Sequence, residues 1–364
     1  MLFRSSVPTR TAYAQGVKLA EEFIRRHLQD QGDWPSGVVV DLWGSATMRT
    51  AGEEFAMAMH LLGVRPVWTD GTERVSGFEI LPLALLDRPR IDVTLRVSGL
   101  FRDVFPTLSS LYQQAVEALA MRAETPDWNP YMTATARARV FGPAPGAYGL
   151  GMGAAAEQLT EAGRQAAADA WIEASSYAID GEAVYQDKQA IQDRIAQADS
   201  FIHLQDMPET DLLLSADYAA HEAGFAAAKA SVGGTAALYH IDNTDPDRPA
   251  ARTLTEEIAR VVHARACNPA WLAGMQRHGY RGAAEIAATL THMAAFASLA
   301  DVVGSHLFDS YHDATLGDDD ILSFMAEHNP EALAAMQDCF QQLFEAGLWQ
   351  TRRNSIRDLL EVSA

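Results

Sequence analysis

The run GVVVDLW at residues 37–43 constrains this chain more than any other stretch. Apolar at consecutive rather than alternate positions, it reads as a strand covered on both faces, and such strands belong to parallel sheets flanked by helices. Before it, Val17, Leu19, Ala20, Phe23, Ile24 and Leu28 recur at helical spacing within residues 9–30. After it, Gly44 to Gly52 reads as a polar turn, Glu53 to Leu62 as a helix and VRPVW (64–68) as a second strand. Strand, turn, helix and strand within about 30 residues form a βαβ unit. RIDVTLRVSG (90–99) is a third strand candidate, with a loop or small hairpin between.

From Asp103 onward the apolar period lengthens to that of helices, expected at 107–123, 154–178, 187–197, 217–230, 253–265, 269–275, 282–302, 319–327 and 330–346. AALYHID (236–242) interrupts them as one more strand. Gly and Pro concentrate in FGPAPGAYGLGMG (141–153), a boundary or an ordered functional loop. The expected class is α/β: an N-terminal βαβ-type layer with parallel strands over 1–140, then a mainly helical domain over 141–364 with one or two added strands.

At 364 residues and 48% hydrophobic content the chain can bury a substantial core. Its 48 acidic against 28 basic side chains, a formal charge of -20, argue against a nucleic-acid partner and against an anionic membrane surface. Only Lys18, Lys188 and Lys229 are lysines, so the basic side chains are mostly arginines, suited to forked pairing with carboxylates. Cys267 and Cys339 are far apart, which offers no disulfide framework and fits a reducing cytoplasm. The N-terminus has no apolar signal core, and no run approaches about 18 consecutive apolar residues, so the expected location is cytoplasmic.

Several nucleotide and nucleophile motifs are missing. A phosphate-binding loop needs Gly-Lys, and no such dipeptide occurs, so any ATP would be held by another chain. No G-x-S-x-G elbow is present. Gly149, Gly151 and Ala154 match G-x-G-x-x-A, but after a Pro-rich loop rather than a strand. The turn WGSATMRTAGEE (43–54) follows a strand and opens a helix, placing Ser45, Thr47 and Thr50 where an anion binds, with Arg49 adding charge. Thr50 and Glu53 also have capping-box spacing, and the two readings are compatible.

Phe201 to Phe225, FIHLQDMPETDLLLSADYAAHEAGF, is rich in acids and imidazoles. Asp217 and His221 stand at i, i+4 on an expected helix, a spacing that puts a carboxylate and an imidazole on one cation. His203, Asp206, Glu209 and Asp211 gather just before it. Further on, YHID ends a strand with His240 and Asp242, and QRHGYRG offers His278 between Arg277 and Arg281. Any one histidine reads more simply as structural; several groupings together point to a site.

Taken in order, LWGSATMRTAGEEFAMAMHLLGVRPVW, RPRIDVTLRVSGLFRDVFPTL, RVFGPAPGAYGLGM, LQDMPETDLLLSADYAAHEAGF, TLTEEIARVVHARACNPAWLAGMQRHGYRGAAEIAAT and RRNSIRDLL resemble the C-terminal third of the aerobic cobaltochelatase large subunit, the CobN type. They are also similar to the matching part of the magnesium chelatase H subunit. The resemblance runs from about Val38 to Leu360. It implies ATP-dependent insertion of Co2+, as substrate, into hydrogenobyrinic acid a,c-diamide on the route to cobalamin. It also implies that ATP is hydrolysed by partner AAA+ subunits and not bound here. Gln205, Asp206, Glu209, Asp211, Ser215, Asp217, Tyr218 and Gly224 keep the family's acidic segment; Leu204, Leu214, Ala216, Ala219 and Ala223 depart from it, and His203 and His221 stand where the family has other types. A family motif resembling H-G-x-x-x-E-W-L-P-G-K, upstream of the matched region in the family, is absent, so the chain is expected to be a fragment, a split subunit that works with the upstream part of the large subunit, or a diverged paralogue that has lost catalysis.

Metal insertion requires that a macrocycle be held, two pyrrolic protons accepted and a hydrated ion stripped of water, tasks for carboxylates and neutral imidazoles. The expected catalytic set is Asp206, Glu209, Asp211, Asp217, His240 and His278, with Asp206, Glu209 and His240 meeting the metal. The substrate's carboxylates call for Arg49, Arg96, Arg102, Arg277 and Arg281, with Thr50, Glu53 and Tyr148 beside them. Other expectations are a magnesium chelatase H portion acting on protoporphyrin, and a non-catalytic tetrapyrrole-binding protein.

Overall fold

A computed structural model describes residues 6–133, 137–354 and 356; most of the RRNSIRDLL stretch therefore lies outside the described residues. Ten strands are described: β1 Gly37–Leu42, β2 Val64–Trp68, β3 Val75–Ile80, β4 Asp92–Val97, β5 Val140–Gly142, β6 Tyr177–Asp180, β7 Ala183–Gln186, β8 Ser200–Gln205, β9 Ala237–Asp242 and β10 Ala250–Thr253. Eight form one sheet in the order β10-β9-β8-β1-β4-β5-β6-β7. The five central strands are parallel, and antiparallel strands β10, β6 and β7 complete the edges. The class is α/β, as expected, with helices dominating toward the C-terminus.

The expected βαβ pairing is corrected in one respect. β2 does not join β1; it pairs antiparallel with β3 in a separate ribbon, and the parallel neighbour of β1 is β4. Pro66 explains this, because a residue without an N–H cannot complete a central ladder. β2 alternates buried and exposed positions, whereas β4 is buried at five consecutive positions.

The chain falls into two compact units. The first comprises 1–151, 169–208 and 228–253; the second comprises 152–168, 209–227 and 254–364. Both units are discontinuous in sequence. The reason is physical: β5 to β9 must return to the sheet to cover the edges of β1 and β4. They are short strands, of three to six residues, between longer helices.

In the first unit, helix Arg10–Gln31 begins at Thr9, whose hydroxyl accepts from the Ala12 amide, and ends at Gly32 in the left-handed region. It packs on helix Glu53–Leu62 at Gly16, where an added Cβ would lie 2.6 Å from the Met57 nitrogen. Gly16→Ala is therefore expected to cost about 1–2 kcal/mol, read as a lowered urea midpoint at unchanged slope. An unchanged midpoint would show that the two helices separate freely.

The second unit is helical, centred on helix Gly279–Ala300. Gly282 lets that helix approach the preceding Pro269–Gln276 helix, since a Cβ there would meet the Met275 carbonyl. The Tyr311 hydroxyl donates to the Ile286 carbonyl at 2.7 Å, and the Trp349 indole to Asp309 at 2.9 Å. The central helix is long and apolar enough to cross a membrane, but 67% of its apolar window is buried, the pattern of a core helix.

Candidate functional site

Within the first unit, the parallel strands have a switch point. From β1 the chain moves to β4 and β5 on one side; from β8 it moves to β9 on the other. β1 and β8 are adjacent, so the strand order reverses between them. In open α/β sheets that reversal leaves room for ligands beyond the carboxyl ends of the strands.

The register assembles a polar row at that end. Arg96 of β4 lies opposite Asp41 of β1, Asp41 opposite His203 of β8, His203 opposite His240 of β9, and His240 opposite Arg252 of β10. Directly opposed residues share a face, which puts five polar side chains in line. Asp41, Arg96, His203 and His240 are each no more than 3% exposed. Asp41 Oδ1 accepts from Arg96 Nη1 at 3.1 Å, while its Oδ2 accepts from the Trp43 indole at 2.7 Å and lies 3.3 Å from His203 Nδ1. Arg96 is steadied by Ser175 at 3.3 Å and by the Trp171 ring. The edge of Trp43 meets His203 at 4.8 Å, and the two imidazoles lie 5.9 Å apart.

Outside this row stands Arg49, at the end of the short helix after β1. It forks onto Asp206, just past β8, with Nε and Nη2 at 2.7 and 2.9 Å from the two carboxylate oxygens. Arg49 is 40% exposed, so this pair is open to exchange. Behind it, Glu54 is buried with Thr47 and Thr50 at 2.6 and 3.0 Å, and burial pushes its carboxyl up to about 7. Thr47 and Thr50 also approach the carbonyls of Trp43 and Ala46, four residues back. A hydroxyl carries one proton; if it goes to the carbonyl, the short contact to Thr47 must be donated by a neutral Glu54.

Several expected residues are engaged elsewhere. Arg96 is locked in the buried pair with Asp41 and does not face a ligand. Arg102 is buried; it binds Asp103 and the carbonyls of Pro143 and Ala147, and so holds the Gly-rich loop. Tyr148, 60% exposed, donates to the same Asp103 at 2.9 Å. Thr50 accepts from the Glu53 amide at 3.2 Å, but Glu53 turns to Asn243, so the reciprocal capping box does not form. Burial raises the pKa of Glu53. His240 is buried beside His203 and does not reach the surface.

In the second unit, Glu209 and Asp217 are exposed, and Asp211 is held by Arg265 at 2.5 and 3.0 Å. His278, Arg277 and Arg281 are exposed around the start of the central helix. The π-helical turn Ala219–Ala223 widens the helix after Asp217, so Asp217 and His221 lose the α-helical i, i+4 alignment. Among the described residues no group of three or more His, Cys, Asp or Glu gathers to hold a metal ion; of the expected metal ligands, Asp206 and His240 belong to the first unit and Glu209 to the second. Burial pushes the thiols of Cys267 and Cys339 up to about 11 and about 12, leaving both inert.

Asp41, Trp43 and Glu54 are not among the site residues expected above, and His203 stands where the family has other types. Asp41 had a visible signal, a lone charge inside an apolar strand, where an ionised side chain survives only with a partner.

Sheet order and register together define an open, mainly parallel α/β unit with a polar row at its switch point. The family model described as CobN/Magnesium Chelatase matches residues 4–356. The chain belongs to this family. It is 40% identical to the aerobic cobaltochelatase subunit CobN of a Sinorhizobium species, over 97% of this chain and 29% of that protein. With the subunit of the same name from Pseudomonas aeruginosa it shares 41% identity, over 98% of this chain and 30% of the relative. Magnesium-chelatase H subunits are more distant, at 25% identity for the rice protein. The solved catalytic subunit of cobaltochelatase from Mycobacterium tuberculosis superposes with a TM-score of 0.91 at 32% identity, covering 98% of this chain and 32% of that one. The chain thus spans about 30% of the length of the relatives it matches.

Proposed function

We propose that this chain supplies part of the tetrapyrrole-binding surface of a cobaltochelatase that inserts Co2+ into hydrogenobyrinic acid a,c-diamide for cobalamin synthesis. ATP is hydrolysed by partner AAA+ subunits, and the rest of the cleft comes from the upstream part of the large subunit. The observation that carries this reading is the exposed Arg49–Asp206 fork beside the buried row at the switch point. Greater similarity to cobaltochelatase subunits than to magnesium chelatase supports cobalt over magnesium, and the corrinoid precursor over protoporphyrin.

In this reading Arg49 leaves Asp206 for a carboxylate of the substrate, an exchange of one charge-assisted fork for another. Asp206 is thereby released to displace water from the incoming cation or to accept a pyrrolic proton. Asp41, His203, His240 and Arg96 hold the strand ends in place and do not touch substrate.

The test combines this chain with the upstream part and the ATPase subunits. Asp206→Ala is expected to slow insertion by about 10²-fold. Its stability should change by less than about 1 kcal/mol, because the lost pair is partly exposed. Fluorescence quenching should show tighter binding of the corrinoid precursor than of protoporphyrin. Unchanged insertion by the variant would remove Asp206 from the mechanism, and preference for protoporphyrin would favour the magnesium-chelatase reading.

A further inference from the structure

A cleft of about 420 Å³ opens at the amino-terminal ends of β1 and β4, the opposite end of the strands from the polar row, lined by Ser36, Gly37, Asp92, Pro130, Arg194 and Gln197. Asp92 serves two guanidiniums: Arg139 donates from Nε at 2.6 Å and from Nη2 at 3.1 Å, and Arg194 donates from Nη1 at 2.8 Å. Arg139 is fully buried and Arg194 is 6% exposed. Arg194 thus shares its carboxylate with a second guanidinium, and a buried guanidinium is costly unless its donors meet acceptors. Burial, and then the neighbouring Arg139, lower the pKa of Arg194.

Arg194 has not used its full hydrogen-bonding capacity. Its Nη2 donates to an uncharged acceptor, Gln197 Oε1, at 2.5 Å, and its Nε is buried without a partner. The Nε–Nη2 edge of a guanidinium is a fork whose spacing matches two oxygens of a carboxylate or phosphate. Gln197 is exposed at the end of helix Lys188–Gln197, and the Nη2 bond is its sole side-chain hydrogen bond among the described residues, so it can give way at small cost. Asp199, which accepts from the Ser36 amide and hydroxyl at 2.6 and 2.7 Å, adds negative charge nearby and limits the ligand to a small anion.

We propose that this cleft binds a compact oxyanion, a phosphate or a carboxylate, on the Nε–Nη2 edge of Arg194, with Gln197 displaced. The site is independent of the polar row at the carboxyl ends of the strands.

The experiment is thermal unfolding of the whole chain in chloride, phosphate or acetate at equal ionic strength. Phosphate or acetate is expected to raise the midpoint by roughly 2–4 °C over chloride, and whichever does so identifies the ligand class. Arg194→Gln, which leaves Asp92 paired with Arg139, should abolish the rise. Arg194→Lys, which keeps the charge but not the fork, should lose most of it and serves if the glutamine variant does not fold. Gln197→Ala, which uncovers the edge, should keep or enlarge it. Equal midpoints for the parent protein in all three salts would overturn the proposal. So would an undiminished rise in both Arg194 variants, which would mark general salt exclusion from the surface.

Discussion

Replacing Asp41 by Asn is expected to destabilise the protein by about 3–5 kcal/mol, because removing one partner of a buried ion pair strands the other. Asparagine keeps the shape of the side chain, so packing around β1 is preserved and the loss is electrostatic. Asp41 and Arg96 are 2% and 1% exposed, so water cannot replace the missing charge. The change also removes the anionic acceptor that Trp43 and His203 share. Native proteins have only about 5–15 kcal/mol in hand, so the urea midpoint should fall by about a fifth or more. Adding Arg96→Met should recover much of the loss, since an apolar pair of similar volume needs no compensation. A single variant as stable as its parent would mean that the pair is hydrated, and the buried row would no longer define the site.

Glu54 governs the second large effect. Burial holds its carboxyl at about 7, against an ordinary value of 4.5. The folded protein therefore keeps a proton that the unfolded chain releases. The stabilisation is complete below about pH 4.5 and is lost as pH rises to about 7, a total of about 3 kcal/mol from this group. Glu54→Gln keeps a donor for Thr47 and carries no charge at any pH. Subtracting its stability profile from that of the parent should leave a curve that falls between pH 4.5 and 7 and is flat above, with the variant the more stable at pH 8. A difference that does not vary with pH would show that Glu54 is not the group titrating.

Much of the fold was legible from periodicity. Helices 10–31, 53–62 and 330–345 were expected within one or two residues, β1 stands out as an apolar run, and β4 and β9 fall within the expected strands 90–99 and 236–242. Short elements were not legible. β5 has three residues and β6 and β7 four each, too few to show any period, and their polar tips read as loop. β8 was read for its acids and imidazoles, although all six of its residues are buried. β2 misled because a strand's sequence reports burial and not which sheet it enters.

The candidate site divides along the same line. Arg49 and Asp206 were named from residue type and position, yet their pairing across 157 positions was invisible. Arg96 and Arg102 were chosen as cations for a substrate, but each has an internal partner that composition cannot reveal.

By itself, the sequence determined what depends on neighbours along the chain: apolar period, helix ends, the charge balance and the ordered motifs that mark the family. Tertiary structure alone decided the order of the strands, and with it which side chains meet. Strand pairing is set by distant segments competing for the same edges, so a row such as Arg96, Asp41, His203 and His240 exists only once β4, β1, β8 and β9 lie side by side.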